Sequence, residues 1–99
     1  MEFEEPVETG FTIYSKSGCK NCTKVKKLLD EKGLINTKIC CDEYLIEDKI
    51  NFICFILNKT KQPNVVFPVV FNNGLYVGGY NETNELLDKT CCFDELNDF

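Results

Sequence analysis

Between residues 11 and 40 the apolar pattern changes its period twice, and a C-x-x-C pair sits at the first change. Phe11 and Ile13 alternate with Thr12 and Tyr14, the period-two pattern of a strand running from Phe11 to Ser15. From Lys20 to Lys32 the apolar positions Cys22, Val25, Leu28 and Leu29 recur at helical spacing, and Gly33 supplies a stop. Ser15-Lys16-Ser17-Gly18 makes the turn between them, and Cys19 and Cys22 close the strand and open the helix. A second strand follows over Asn36 to Cys40, with Ile35, Thr37 and Ile39 on one side. A strand, a helix of crossover length and a second strand favour parallel pairing of the two strands.

The rest of the chain extends that unit. Over Asp42 to Leu57 the positions Ile46, Ile50, Ile53, Cys54 and Leu57 form a helical stripe, so a helix is expected with that stripe inward. Phe52 and Phe55 lie partly off the stripe, so the helix either packs on two sides or offers an apolar surface to a partner. A polar loop, 58–64, leads to Val65-Val66-Phe67, Pro68 and Val69-Val70-Phe71, a strand entered through a proline. Asn72-Asn73-Gly74 is hairpin-turn chemistry before Leu75-Tyr76-Val77. Gly78-Gly79 ends that strand, and Asn81 is placed to cap a last helix over 82–89. The expected result is an α/β domain, a four-stranded mixed sheet with helices on both faces. Residues 1–10, with four glutamates, read as a flexible acidic lead-in, residues 11–89 as the domain and 90–99 as a short acidic tail.

Charge and cysteine content narrow the function. The chain of 99 residues has eleven lysines, no arginine and sixteen acids, a net charge of -5 that disfavours nucleic acid as a partner. No apolar run is long enough to cross a bilayer, and the amino terminus is acidic, so no membrane association and a cytoplasmic location are expected. Seven cysteines, without framework spacing, suit a reducing compartment with most thiols free.

A C-x-x-C pair serves either redox chemistry or zinc. Zinc takes four ligands, and in a chain without histidine the second pair would have to be Cys40-Cys41 or Cys91-Cys92, whose adjacency is poor spacing; no metal is expected. For redox work the placement is apt, because a thiol at a helix start beside positive charge has its pKa lowered. Six of the eleven lysines fall within 16–32. Lys16 and Lys20 flank Cys19; Lys24, Lys26 and Lys27 read as a solvated helix face.

The motifs Tyr14-Ser15-Lys16-Ser17-Gly18-Cys19-x-x-Cys22, Phe67-Pro68-Val69-Val70-Phe71, Asn73-Gly74 and Gly78-Gly79-Tyr80-Asn81-Glu82 resemble, in order, those of a glutaredoxin of the dithiol type. The resemblance covers about residues 11–88. It implies a thioredoxin-like fold, the sheet being sandwiched by three helices, and a glutathione-dependent thiol-disulfide oxidoreductase. By position Cys19 resembles the nucleophile and Cys22 the resolving thiol, and Pro68 resembles the cis-proline beside the active site. Lys16, with Lys20 and Gln62, and Phe67, Pro68, Gly79, Tyr80, Asn81 and Glu82 resemble the glutathione-binding set. Glutathione is then a co-substrate, no cofactor is tightly bound, and the partners of a monomer are glutathionylated or disulfide-containing proteins.

The chain departs from the family pattern in carrying Lys20-Asn21 between the cysteines and a bulky Phe67. Two other functions remain open: a thioredoxin-like protein disulfide reductase, though no tryptophan is present, and a non-catalytic module binding an iron-sulfur cluster or a partner. Cys40 and Cys54 lie in core-like runs, whereas Cys41, Cys91 and Cys92 are candidates for exposed thiols.

Overall fold

The computed structural model describes the backbone of residues 2–96 and the side chains of residues 2–88. The elements are β1 (Phe11–Ser15), α1 (Lys20–Glu31), β2 (Asn36–Cys40), α2 (Asp42–Glu47), α3 (Lys49–Thr60), β3 (Val69–Asn72), β4 (Leu75–Gly78) and α4 (Tyr80–Leu96). The strands form one sheet in the order β2-β1-β3-β4. β1 runs parallel to β2 and antiparallel to β3, which is antiparallel to β4. The mixed four-stranded thioredoxin-like sheet is thus as expected.

Alternation along the central strands divides the core. Phe11 and Ile13 of β1 and Val70 of β3 pack with Val25 and Leu29 of α1 and Leu87 of α4. Tyr14, Val69 and Phe71 pack on the opposite face with Ile39 of β2 and Phe52 and Ile56 of α3. Every residue of β1 is buried, as a strand flanked on both edges and covered on both faces must be. The β3–β4 turn places Asn73 at φ 52° and Gly74 at φ 82°, the paired positive angles that suit a two-residue hairpin. Asn73 also ties the turn to Gly10: its amide donates to the Gly10 carbonyl, and its Oδ1 accepts from the Gly10 amide, both at 2.8 Å.

The helix expected over 42–57 breaks at Asp48, whose φ of -148° and ψ of 51° are not helical. The expected stripe is overturned within α3 itself, where the opposite apolar face, carrying the larger Phe52 ring, is the one that packs on the sheet. Ile46 and Ile50 are 83% and 79% exposed, and the face that packs inward is Phe52, Ile56 and Thr60, four residues apart. Cys40 and Cys54 are exposed rather than in the core, while Cys41 is fully buried. Strand parity gives the reason: Ile39 points inward, Cys40 outward and Cys41 inward again. Cys91 and Cys92 lie outside the described side chains.

The acidic lead-in makes specific contacts. The Phe3 ring lies 5.1 Å from that of Tyr44, 5.2 Å from Phe52 and 5.4 Å from Phe55. The Tyr14 hydroxyl donates to the Glu4 carbonyl at 2.6 Å, and Lys59 pairs with Glu5. The aromatic surface of α3 is therefore covered by the chain's own amino-terminal segment.

Candidate active site

The turn after β1 delivers Cys19 to the start of α1, where it occupies the N-cap position in extended conformation with φ -94° and ψ 112°. The first amides of a helix lack helical acceptors and point outward, so a sulfur at this position meets N–H donors. The amides of Cys22 and Asn21 donate to Cys19. Cys19 is half-buried; Cys22, one turn into α1, is 2% exposed.

Their environments separate the two thiols. Burial opposes ionisation of Cys19, but the Cys22 thiol, the Cys22 and Asn21 amides and the Lys16 charge outweigh it and hold Cys19 below the usual thiol range. Burial raises Cys22, and its thiol proton, shared with Cys19, adds to the effect, so that it is pushed up to about 11. Of the two, Cys19 is thus the thiol that ionises more readily and Cys22 the hydrogen-bond donor to it. When protonated, Cys19 instead donates to the Phe67 carbonyl, 3.7 Å away. Such a difference between neighbouring thiols makes Cys19 the candidate nucleophile of the pair.

Phe67 is joined to Pro68 by a cis peptide bond, and Pro68 is buried. Lys16 lies 5.6 Å over the Phe67 ring, within cation–π range. Lys16, Cys19 and Phe67 line one cleft of about 530 Å³, together with Lys49, Leu45 and Ile53. A neighbouring cleft of about 570 Å³ is lined by Gln62, Gly79 and Glu82 among others, and Val66 lies in the lining of both.

At the far end of that second cleft, Gly79 precedes α4 and the Glu82 side chain reaches back to accept its amide at 2.7 Å. The Thr83 amide and hydroxyl both donate to the Gly79 carbonyl, at 3.0 and 2.8 Å. Glu82 thus supplies the N3 half of a capping box, with Gly79, which has no side chain for the other half, at the cap position, and α4 starts at Tyr80 instead of after the expected cap Asn81. Gly78 makes the approach possible, since a Cβ there would stand 2.6 Å from Glu82. Tyr80 is half-buried, with Lys24 5.7 Å from its ring centroid, while Asn81 and Lys20 are exposed.

Two features of the site were not foreseen from sequence. Asp42, at the start of α2, accepts from the Ser17 amide at 2.9 Å and from the Ser17 hydroxyl, pinning the loop that presents Cys19. Leu45, Lys49 and Ile53, spaced four residues apart and so on one face of the α2–α3 segment, line the Cys19 cleft. Among the described residues no three histidine, cysteine, aspartate or glutamate side chains converge as a metal site.

The glutaredoxin family model matches residues 11–77. Glutaredoxin 1 of Rickettsia felis is 33% identical over 84 residues, covering 85% of this chain and 76% of the relative. The crystal structure of a buckwheat glutaredoxin–glutathione complex is 27% identical, with a TM-score of 0.69, covering 89% of this chain and 76% of the other. The solution structure of a dithiolic glutaredoxin from Trypanosoma brucei brucei is also 27% identical, with a TM-score of 0.64 and coverages of 87% and 84%.

Proposed function

The chain belongs to the glutaredoxin family of thiol-disulfide oxidoreductases, and on that premise we propose that it reduces glutathione mixed disulfides and protein disulfides at the expense of glutathione. The observation that carries the proposal is the convergence of a pKa-lowered Cys19, the Phe67 carbonyl and Lys16 in one cleft. The glutathione complex of the buckwheat relative supports the choice of co-substrate.

In this reading Cys19 thiolate attacks the glutathione sulfur of a mixed disulfide. The partner's sulfur leaves as thiolate and takes a proton, and Cys19 is left glutathionylated. A second glutathione thiolate then attacks that disulfide, releasing glutathione disulfide and restoring Cys19 thiolate. For protein disulfides Cys22 attacks the Cys19 sulfur of the mixed disulfide, the substrate's second sulfur leaves as thiolate and takes a proton, and Cys19 and Cys22 remain as a disulfide.

The binding roles follow the two clefts. Lys16, supported by Lys20, attracts the glycyl carboxylate, and the Phe67 backbone, held at Pro68, aligns the cysteinyl part. Across Val66, the first amides of α4 at Tyr80 and Asn81 receive the γ-glutamyl carboxylate, with Gly79 and Glu82 fixing that turn and Gln62 on the opposite wall. Turnover of hydroxyethyl disulfide with and without glutathione tests the reading. Activity that requires glutathione is expected; activity that proceeds equally with a flavoprotein reductase alone contradicts it.

A further inference from the structure

Glutathione contains no apolar side chain, yet the wall facing Cys19 is apolar. Leu45, Ile53, Val65 and Val66 line it, and Val66 is 73% exposed. The same helices carry Ile46 and Ile50, both largely exposed, which adds to the uncovered apolar surface of α2 and α3. The charges in the lining have one sign, from Lys16 and Lys49. With Lys16 on the glycyl carboxylate and the first amides of α4 on the γ-glutamyl one, no carboxylate of the tripeptide is left for Lys49. The backbone on the rim is also open: among the described residues no hydrogen bond engages the Val66 amide or carbonyl.

We infer that the Cys19 cleft selects protein disulfides in which the attacked cysteine lies beside one bulky apolar residue and one acidic residue, in an extended segment. The segment pairs with the Val66 backbone as an added strand. Its apolar side chain is buried against Leu45, Ile53 and Val65, and its carboxylate meets Lys49. This rests on the reading of Cys19 as nucleophile. Cys19 thiolate attacks one sulfur of the substrate disulfide, and the other sulfur leaves as thiolate and takes a proton. Cys22, losing its proton, then attacks the Cys19 sulfur and releases the segment as a thiol. Two electrons pass from the dithiol to the substrate, and the protein ends with a 19–22 disulfide.

The test is single-turnover reduction by the prereduced protein, without glutathione. The substrates are disulfide-linked dimers of short peptides whose cysteine is flanked by Leu and Glu, by Leu and Lys, or by Gly and Ser. The Leu/Glu peptide is expected to react roughly tenfold faster than Gly/Ser, and a few-fold faster than Leu/Lys, the sizes that partial burial of a leucine and one exposed ion pair give. Lys49→Glu should invert the order of Leu/Glu and Leu/Lys, a ratio that is insensitive to any general loss of activity. Equal rates for all three peptides, or an order that Lys49→Glu leaves unchanged, overturns the inference. Protein that reduces none of the peptides contradicts the role of Cys19 as well. Selectivity among peptides without glutathione dependence in the hydroxyethyl disulfide assay would uphold the inference and overturn the glutathione reading.

Discussion

Ser17 and Asp42, twenty-five positions apart, are joined twice: the Ser17 amide donates to Asp42 Oδ1 at 2.9 Å, and the Ser17 hydroxyl donates to Oδ2. The clamp fastens the turn that presents Cys19 to the junction between β2 and α2. The Ser17 hydroxyl and amide hold the Asp42 carboxyl below the usual carboxylate range. A depressed carboxylate keeps its contribution above its ordinary pKa and loses it only as pH falls through the lowered one, so the clamp persists through neutral and mildly acidic pH.

Asp42→Ala should therefore loosen the Cys19 turn. Alkylation of Cys19 by iodoacetamide near neutral pH is expected to slow by up to roughly tenfold, the effect of one pKa unit on the thiolate fraction. The pH profile of alkylation checks it. Unchanged alkylation would remove Asp42 from the positioning of Cys19.

The raised thiols make the reduced protein sensitive to alkali. Burial pushes Cys22 up to about 11 and Cys41 up to about 12. A group raised on folding gives its stability below the unfolded pKa and loses it as pH climbs to the folded one. Folding stability should thus fall between about pH 8.5, the unfolded thiol value, and pH 11, by roughly 3 kcal/mol for Cys22 alone. Urea midpoints across that range measure the slope, and Cys41→Ala should flatten it at the alkaline end even if it lowers the midpoint overall.

Phe3 should behave as part of the core. Removing a fully buried phenylalanine ring costs about 3–5 kcal/mol, so Phe3→Ala, losing a half-buried ring on Tyr44, Phe52 and Phe55, should cost roughly 1–2 kcal/mol. Glu5→Gln, which breaks a partly exposed pair with Lys59, should cost less than about 1 kcal/mol. Thermal or urea unfolding of both variants provides the comparison.

Glu82 should matter through the start of α4. Glu82→Ala frees the Gly79 amide and removes the side-chain bond that caps α4, so a loss of about 1 kcal/mol in stability is expected. The same variant should raise KM for glutathione more than it lowers kcat, because the turn that receives the γ-glutamyl carboxylate loosens while Cys19 is untouched. A fall in kcat alone would move Glu82 out of the binding turn.

The parts of this fold that sequence makes legible are those written in short, uninterrupted periods. The β1-turn-α1 unit and the Asn73-Gly74 hairpin are such parts, and each emerges in the structure where its pattern lies. The α2–α3 region is apolar on two faces, and a period alone does not choose between them: the face of Phe52 and Ile56 is the one buried on the sheet, and that of Ile46 and Ile50 is left exposed. Cys40 and Cys41 exchange the expected roles because the parity that turns Ile39 inward continues past the strand end, carrying Cys41 inward and Cys40 out. Phe3 left no trace in the sequence, because a single ring in an acidic segment has no period at all. The Ser17–Asp42 clamp joins distant segments through one pair of side chains, which no local pattern encodes.

In the proposed cycle Cys19 alone carries glutathione, and Cys22 serves only dithiol chemistry. Cys22→Ser assayed on a glutathionylated peptide with glutathione present, with mass spectrometry of the trapped intermediate, separates the two roles. Retained turnover and one glutathione on Cys19 are the predicted result. Loss of turnover in Cys22→Ser, or its persistence in Cys19→Ser, would contradict the division of roles between the two thiols.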